Sequence, residues 1–399
     1  MIQRQFGKRL KNGMLQETEF LKTNLSKTER IRWSSAGDPN GPVIVLFVGI
    51  HGNETAGIEA IDNIKESLKS DDWDLHGTIY AVTGNIEALK KGVRFVDVDL
   101  NRLWELFDTE QDYSRLNGPD HPSEYLESLQ IKSALDTIFE HHRNEAVEFI
   151  FADLHTTSSE SCAFILLNDT LSNRDIARKF PVPQILGIEE NIHGTLLSYI
   201  NNLGYKAIGF EAGAHMAVDS INRSEAFLWM LFHNAKVIQL DKQAINYHAT
   251  QLQAHPDVPD TYYDIRYHHY IEDNTKFEML EGFKNFDIIE KGTPLAYDHG
   301  ELIKAEISGR IFMPLYQQSG NDGFMIIDTV SPFWLRLSSY LRKSFVHKLL
   351  KYLPGVSQLD NQIFEVNLRI ARFLVKDIFH LFGYRVTKKD EYTLTCYRR

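Results

Sequence analysis

Residues 42–57 read PVIVLFVGIHGNETAG. The apolar run 42–50 is short and rich in Val and Ile, so it reads as a strand buried on both faces. It breaks into a polar, glycine-bearing loop that carries His51 and Glu54 three residues apart. Apolar residues at helical spacing follow over 54–69. A buried strand that hands ionisable groups to the loop before a helix fits an open α/β sheet, in which ligands collect beyond the carboxyl ends of strands.

The same punctuation recurs on either side. GTIYAVTGN (77–85), AVEFIFADLH (146–155), CAFILLN (162–168) and YKAIGFEAG (205–213) read as further strands. Residues 121–142 and 222–238 read as helices, the first with Pro122 in its first turn. The expectation is a catalytic α/β domain over 1–255, with a mainly parallel mixed sheet flanked by helices. The polar, proline-bearing stretch 249–260 reads as a linker. Turn signals between short apolar runs predict a small β domain over 261–330. Residues 331–399 predict a basic helical extension, with amphipathic helices at 332–353 and 361–382 and a terminal hairpin at 384–398. No internal repeat or low-complexity segment is present.

Composition narrows the classes. The chain of 399 residues has 43% apolar and 24% charged residues, ordinary for a soluble globular protein. No apolar run approaches the roughly 18–20 residues of a membrane span. The start of the chain lacks an apolar signal core, so a cytoplasmic protein is expected. Two cysteines, Cys162 and Cys396, exclude a cysteine-rich zinc finger and argue against a disulfide framework. The net charge is −11, but residues 331–399 hold 13 Lys and Arg against five Asp and Glu. That tail is at +8, which leaves −19 for the rest. An acidic body argues against nucleic-acid binding. The tail is expected to pack on that body; contact with a membrane surface is the less favoured reading, and homo-oligomerisation stays open.

Three strand ends carry the chemistry. His51 and Glu54 follow the strand 42–50, Asp153 and His155 end the strand 146–155, and Glu211 sits at the end of the strand 205–210. Two histidines and one carboxylate are a common ligand set for catalytic zinc, which leaves a position open for water. His51, Glu54 and His155 supply such a set. Asp153, two residues before His155 and on the same strand face, is placed to orient a ligating imidazole. The loop RFVDVDLNR (94–102) adds Arg94 and Arg102, whose planar forks suit carboxylates and oxyanions, with Asp97 and Asp99 beside them. His268 and His269 read as β-domain surface. His215, four residues past Glu211, stays open between a pocket wall and an ordinary loop.

HGNE, RFVDVDLNR, DLHTTSS and GFEAG occur in that order. With them the chain, over about residues 40–330, resembles the aspartoacylase and succinylglutamate desuccinylase family, a branch of the zinc carboxypeptidase fold. The resemblance implies one zinc ion on His51, Glu54 and His155, and Glu211 as general base and acid. It implies Arg94 as the group polarising the scissile carbonyl. Asn101 and Arg102 would hold a substrate carboxylate, Tyr316 would reach the substrate from the β domain, and Asp99 and Asp153 would support the site. The implied activity is hydrolysis of the amide bond of a small N-acyl amino acid by zinc-bound water that Glu211 activates. A carboxypeptidase acting on peptide C-termini and a non-catalytic metal- or partner-binding protein are the alternatives.

Overall fold

A computed structural model describes residues 30–399 apart from 71–72, 108–120, 144–146, 216, 254–257, 259 and 372–373. The start of the chain and much of the proline-bearing linker lie outside the described residues.

The strands are β1 Ile31–Ala36, β2 Val43–Val48, β3 Thr78–Thr83, β4 Phe149–Thr157, β5 Phe164–Leu167, β6 Gln184–Leu186, β7 Lys206–Ala214 and β8 Tyr262–Tyr270. They continue as β9 Phe277–Met279, β10 Ile288–Ile289, β11 Pro294–Asp298, β12 Glu301–Lys304, β13 Gly309–Phe312 and β14 Asp322–Thr329. One 11-stranded sheet has the order β1-β3-β2-β4-β7-β5-β6-β8-β14-β13-β10. β2 pairs in parallel with β3 and β4, and β4 in parallel with β7.

β2 shows why the sheet sits where it does. All six residues, VIVLFV, are buried. On one face Ile44, Leu46 and Val48 share a core with Ala60, Ile61 and Ile64 of the helix Ala56–Ser70. On the other, Val43, Val45 and Phe47 pack with Ile131, Leu135 and Ile138 of the helix Ser123–His141. Helices on both faces explain a continuous apolar run where a one-sided strand would alternate. The parallel pairing aligns the carboxyl ends of β2, β4 and β7 on one edge.

Two expectations change. The expected linker begins as helix: Lys242–Leu252 starts at Asp241, whose side chain accepts the Ala244 N–H, and buries Leu252. Beyond it, β8 pairs in parallel with β6. Strands of the expected small β domain therefore extend the central sheet, and only β9, β11 and β12 form a separate three-stranded sheet. Without β8, the short β6 would present an unpaired edge, which a sheet must cover.

The extension is mixed rather than helical. The helix Pro332–Lys343 forms as read, with Ser331 capping it and proline in its first turn. Ser344 then leaves helical geometry, and a 3₁₀ segment, Phe345–Tyr352, follows. Residues 361–382, read as one helix, instead form a strand, Ile363–Asn367, and a helix, Val375–Leu381. Phe364 and Val366 are buried while their neighbours are not, so the period of two prevails there. With Val356–Gln358 and the hairpin Tyr384–Asp390/Thr393–Arg398, that strand makes a four-stranded antiparallel sheet. Among the described residues, no helix is long and apolar enough to cross a membrane.

The extension is fixed to the body by buried charge. Asp169 meets Arg174 of the body and Arg342 and Arg399 of the extension, and Arg399 also reaches Glu189 and Glu190. Burial alone would raise the Asp169 carboxyl, but Arg342, Arg174 and Arg399 hold it well below its ordinary range. A lowered folded-state pKa means that this contribution is complete above about pH 4 and drains away as pH falls through the lowered value. Asp169→Asn leaves three guanidinium groups short of charge and is expected to cost roughly 3 kcal/mol. Urea unfolding above pH 5 measures the loss, and limited proteolysis should then cut residues 331–399 faster than in the parent; equal rates and equal stability would contradict the anchoring role.

Candidate active site

The loop after β2 is shaped by close packing. A Cβ on Gly52 would lie 2.1 Å from the Ala88 carbonyl carbon, so glycine lets the loop pass against the helix Ile86–Lys91. This places His51 and Glu54 beside the end of β4, both less than 5% exposed. His51 Nδ1 lies 2.8 Å from Glu54 Oε1, and His155 Nδ1 lies 2.9 Å from Glu54 Oε2. The Thr156 N–H also donates to Glu54 Oε2, at 3.0 Å. Ligand-type atoms of His51, Glu54 and His155 all lie within 4.8 Å of one another.

Each imidazole is held from behind by a carboxylate. His51 Nε2 is 3.2 Å from Asp99 Oδ1, and His155 Nε2 is 2.8 Å from Asp153 Oδ2. In both residues, therefore, Nδ1 turns inward and Nε2 meets an anchoring carboxylate, the arrangement that fixes metal-ligating histidines. Burial alone would raise Glu54, but the imidazoles of His51 and His155 hold it well below the usual range. Burial alone would lower His155, but Asp153 and Glu54 hold it well above its ordinary value.

Glu211 lies on β7, three residues before its end and opposite His155 in register, and its Oε2 is buried without a hydrogen-bond partner. Burial pushes this carboxyl up to about 8. Gly213 takes a φ of 118°, and a Cβ on it would lie 2.7 Å from Arg223 Nη1, so glycine accommodates the shift in the β4/β7 register just past Glu211. Arg94 Nη2 donates to Asp99 Oδ2 at 3.0 Å, and its Nη1 lies 3.5 Å from Glu54 Oε1. Four carboxylates, Glu54, Asp99, Asp153 and Glu211, thus surround two imidazoles and one guanidinium. That surplus of negative charge and the orphaned Glu211 oxygen suit a divalent cation between His51, Glu54 and His155.

The remaining expected residues have other engagements. The Asn101 Oδ1 accepts the Leu196 N–H at 2.8 Å. Arg102 donates to Asp322 Oδ2 at 2.6 Å and to the Asn101 carbonyl at 2.9 Å. The Tyr316 hydroxyl has the Leu280 and Phe283 carbonyls as acceptors for its one proton, both at 3.0 Å, and thus binds its own β loop. Its neighbour Gln317 reaches the site instead: its Oε1 lies 3.5 Å from Asn53 Nδ2 and its side chain lies beside His215, whose Nδ1 meets Thr156 Oγ1 at 2.7 Å. His268 is not plain surface, since its Nε2 lies 3.0 Å from Asp322 Oδ1. His269 stacks on Phe324 and meets Asp298.

One organiser carried no sequence signal. Glu124, fully buried in the first turn of the helix Ser123–His141, accepts the N–H groups of Val96, Asp97 and Val98 and the Asn85 amide. It holds the loop that bears Arg94 and Asp99. A glutamate near a helix start is common, and only its partners distinguish this one.

Residues 40–228 match the family described as succinylglutamate desuccinylase/aspartoacylase catalytic domain. A stretch of 84 residues is 40% identical to a succinylglutamate desuccinylase of Pseudomonas fluorescens, covering 19% of this chain and 25% of that one. A stretch of 118 residues is 30% identical to a succinylglutamate desuccinylase of Serratia proteamaculans, covering 30% and 33%. The match thus spans a quarter to a third of these relatives. Among solved structures, the succinylglutamate desuccinylase/aspartoacylase of Rhodobacter sphaeroides aligns with a TM-score of 0.53 at 14% identity, over 74% of this chain and 88% of that one. The product-bound ectoine utilization protein EutE of Ruegeria pomeroyi aligns with a TM-score of 0.54 at 15% identity, over the same shares. These two likenesses show the fold.

The ligand geometry predicts one divalent metal ion per chain. Elemental analysis of purified protein is expected to find it, and a His51→Ala, His155→Ala double variant is expected to lose it. Undiminished metal in that variant would exclude this site.

Proposed function

We propose that residues 40–228, a succinylglutamate desuccinylase/aspartoacylase catalytic domain, act as a zinc-dependent hydrolase that cleaves the amide bond of a small N-acyl amino acid. The observation that carries this reading is the buried triad His51, Glu54 and His155 beside a carboxyl, Glu211, with one oxygen unpartnered. Zinc, when bound by the triad, supplies a Lewis acid that lowers the pKa of water from 15.7 toward roughly 7 and polarises a carbonyl. Asp99 and Asp153 keep both imidazoles turned toward it.

Glu211 moves the proton. As a carboxylate it takes the proton of the attacking water at Oε2, then delivers it to the leaving amine nitrogen. A site that buries this group, and so raises its proton affinity, favours that exchange. Arg94 is held by Asp99 and Glu54 with its charge fixed beside the triad. It faces the oxygen that becomes negative, and a charge in place before the reaction needs no reorganisation.

Arg102 recognises the substrate carboxylate only in competition with Asp322, which already occupies its guanidinium. Asn101 serves the same end indirectly, by holding the turn Leu100–Arg102 against Leu196. The two anions cannot both take the full fork of Arg102, so Asp322 sets how strongly a carboxylate is drawn in.

Three measurements test the reading. A screen of zinc-loaded protein against N-acetyl and N-succinyl amino acids is expected to find turnover, and its absence across the panel would sink the assignment. Glu211→Gln is expected to keep its metal and fold while kcat drops by at least about 10²-fold; near-normal kcat would mean that another group is the base. Asp322→Asn is expected to lower KM for carboxylate-bearing substrates by roughly tenfold, about 1.4 kcal/mol, with kcat retained. A KM that rises or stays level would show that Arg102 is not the carboxylate site.

A further inference from the structure

The first part of the extension exposes apolar and basic side chains together. Phe345, Tyr352 and Tyr340 are 77%, 73% and 71% exposed, and Phe333, Trp334 and Leu349 are at least half exposed. Isolated exposed hydrophobics are ordinary on a protein surface. These six fall within 20 residues of one another, on the helix Pro332–Lys343 and the 3₁₀ segment Phe345–Tyr352. Three residues per turn divide the 3₁₀ segment into rows. One row, with His347 and Leu350, is buried. The two outward rows carry Phe345, Lys348 and Lys351, and then Val346, Leu349 and Tyr352. Lys351 Nζ lies 5.1 Å from the centre of the Tyr352 ring.

The charge here is of one sign. Residues 331–359 contain no Asp or Glu but include Arg336, Lys343, Lys348 and Lys351. Beside the 3₁₀ segment lies a cavity of about 420 Å³, lined by His347, Lys348, Lys351, Gln362 and Arg398 among others, with no carboxylate in its lining. Arg398 donates to His347 Nε2 at 2.6 Å and to the Arg342 carbonyl at 3.5 Å, neither of them an acid. This contrasts with Arg342 and Arg399, which the acidic body neutralises. The body's charge thus accounts for one side of the extension and leaves the other unbalanced.

We propose that residues 332–353 form an interfacial surface that seats this protein on anionic phospholipid membranes. Aromatic side chains enter the headgroup layer, and Lys348, Lys351 and Arg398 receive lipid phosphate. A basic, aromatic, acid-free amphipathic face with a moderate apolar area lies in a bilayer surface and does not cross it. A second copy is a poorer occupant. A two-fold contact would press this acid-free basic patch on the same patch of the other copy, with no carboxylate within residues 331–359 to meet its lysines.

Cosedimentation of the full chain with vesicles tests the proposal. Binding is expected to phosphatidylglycerol–phosphatidylcholine vesicles and not to phosphatidylcholine alone, and to weaken as salt rises. Phe345→Ser with Tyr352→Ser, and separately Lys348→Glu with Lys351→Glu, are each expected to weaken binding at least about tenfold. All four residues are exposed, so circular dichroism and hydrolytic activity should match the parent. The parent's salt and lipid dependence tests the idea even if a variant folds poorly. No binding to anionic vesicles, equal binding to neutral ones, or parent-like binding by the charge-reversed variant overturns the proposal. A lipid-free dimer that Phe345→Ser dissolves, with no vesicle binding, would assign the face to a second copy instead.

Discussion

The Glu54 carboxylate is the point on which the site depends. One oxygen meets His51 and approaches Arg94, and the other meets His155 and the Thr156 N–H. A loop after β2, the end of β4 and the loop 94–102 are thereby tied through a single buried group. The arrangement holds only if β2 and β4 end at the same level, which their parallel register ensures. It also holds only if the loop residue 52 has no side chain, because the helix Ile86–Lys91 leaves no room for one. Core packing thus determines where charge is placed, and charge in turn closes the loops over the end of the sheet.

Buried carboxylates do two different jobs in this chain. Glu54, Asp99 and Asp153 surround imidazoles and leave negative charge in excess, which suits a cation. Asp169, Glu189 and Glu190 are opposed by guanidinium groups, two of them from the extension, and so bind one part of the chain to another. Asp322 belongs to neither group. It stands between Arg102 and His268, on a strand that sequence alone would place in a different domain from the arginine it holds.

Much of the architecture was legible because its signals are local. VIVLFV announces a buried strand through its own composition, and the same reasoning places His155 and Glu211 on neighbouring strands, although these run on to Thr157 and Ala214. The misread parts depend on distant partners. The helix Lys242–Leu252 is weakly patterned, and only the docking of Leu252 into the core distinguishes it from a polar linker. Residues 361–382 contain enough apolar positions to satisfy either period, and pairing with Thr393–Arg398 decides for a strand at Phe364 and Val366. At the site, residue type identified the triad, while the partners of Tyr316 and Gln317 could not be foreseen. They lie next to each other in sequence, yet only one turns toward His215.

The unbroken sheet has a mechanical consequence. Two lobes close over a ligand when a few residues between them absorb large changes in φ and ψ. Here β6 and β8 are hydrogen-bonded across the boundary, so the part bearing Glu54 and Glu211 and the part bearing Gln317 and Asp322 share one lattice of backbone bonds. A clamshell motion would have to tear that lattice. The two parts therefore cannot swing apart as rigid lobes without breaking those bonds, and movement at the site falls to the loops that carry Glu54 and Gln317.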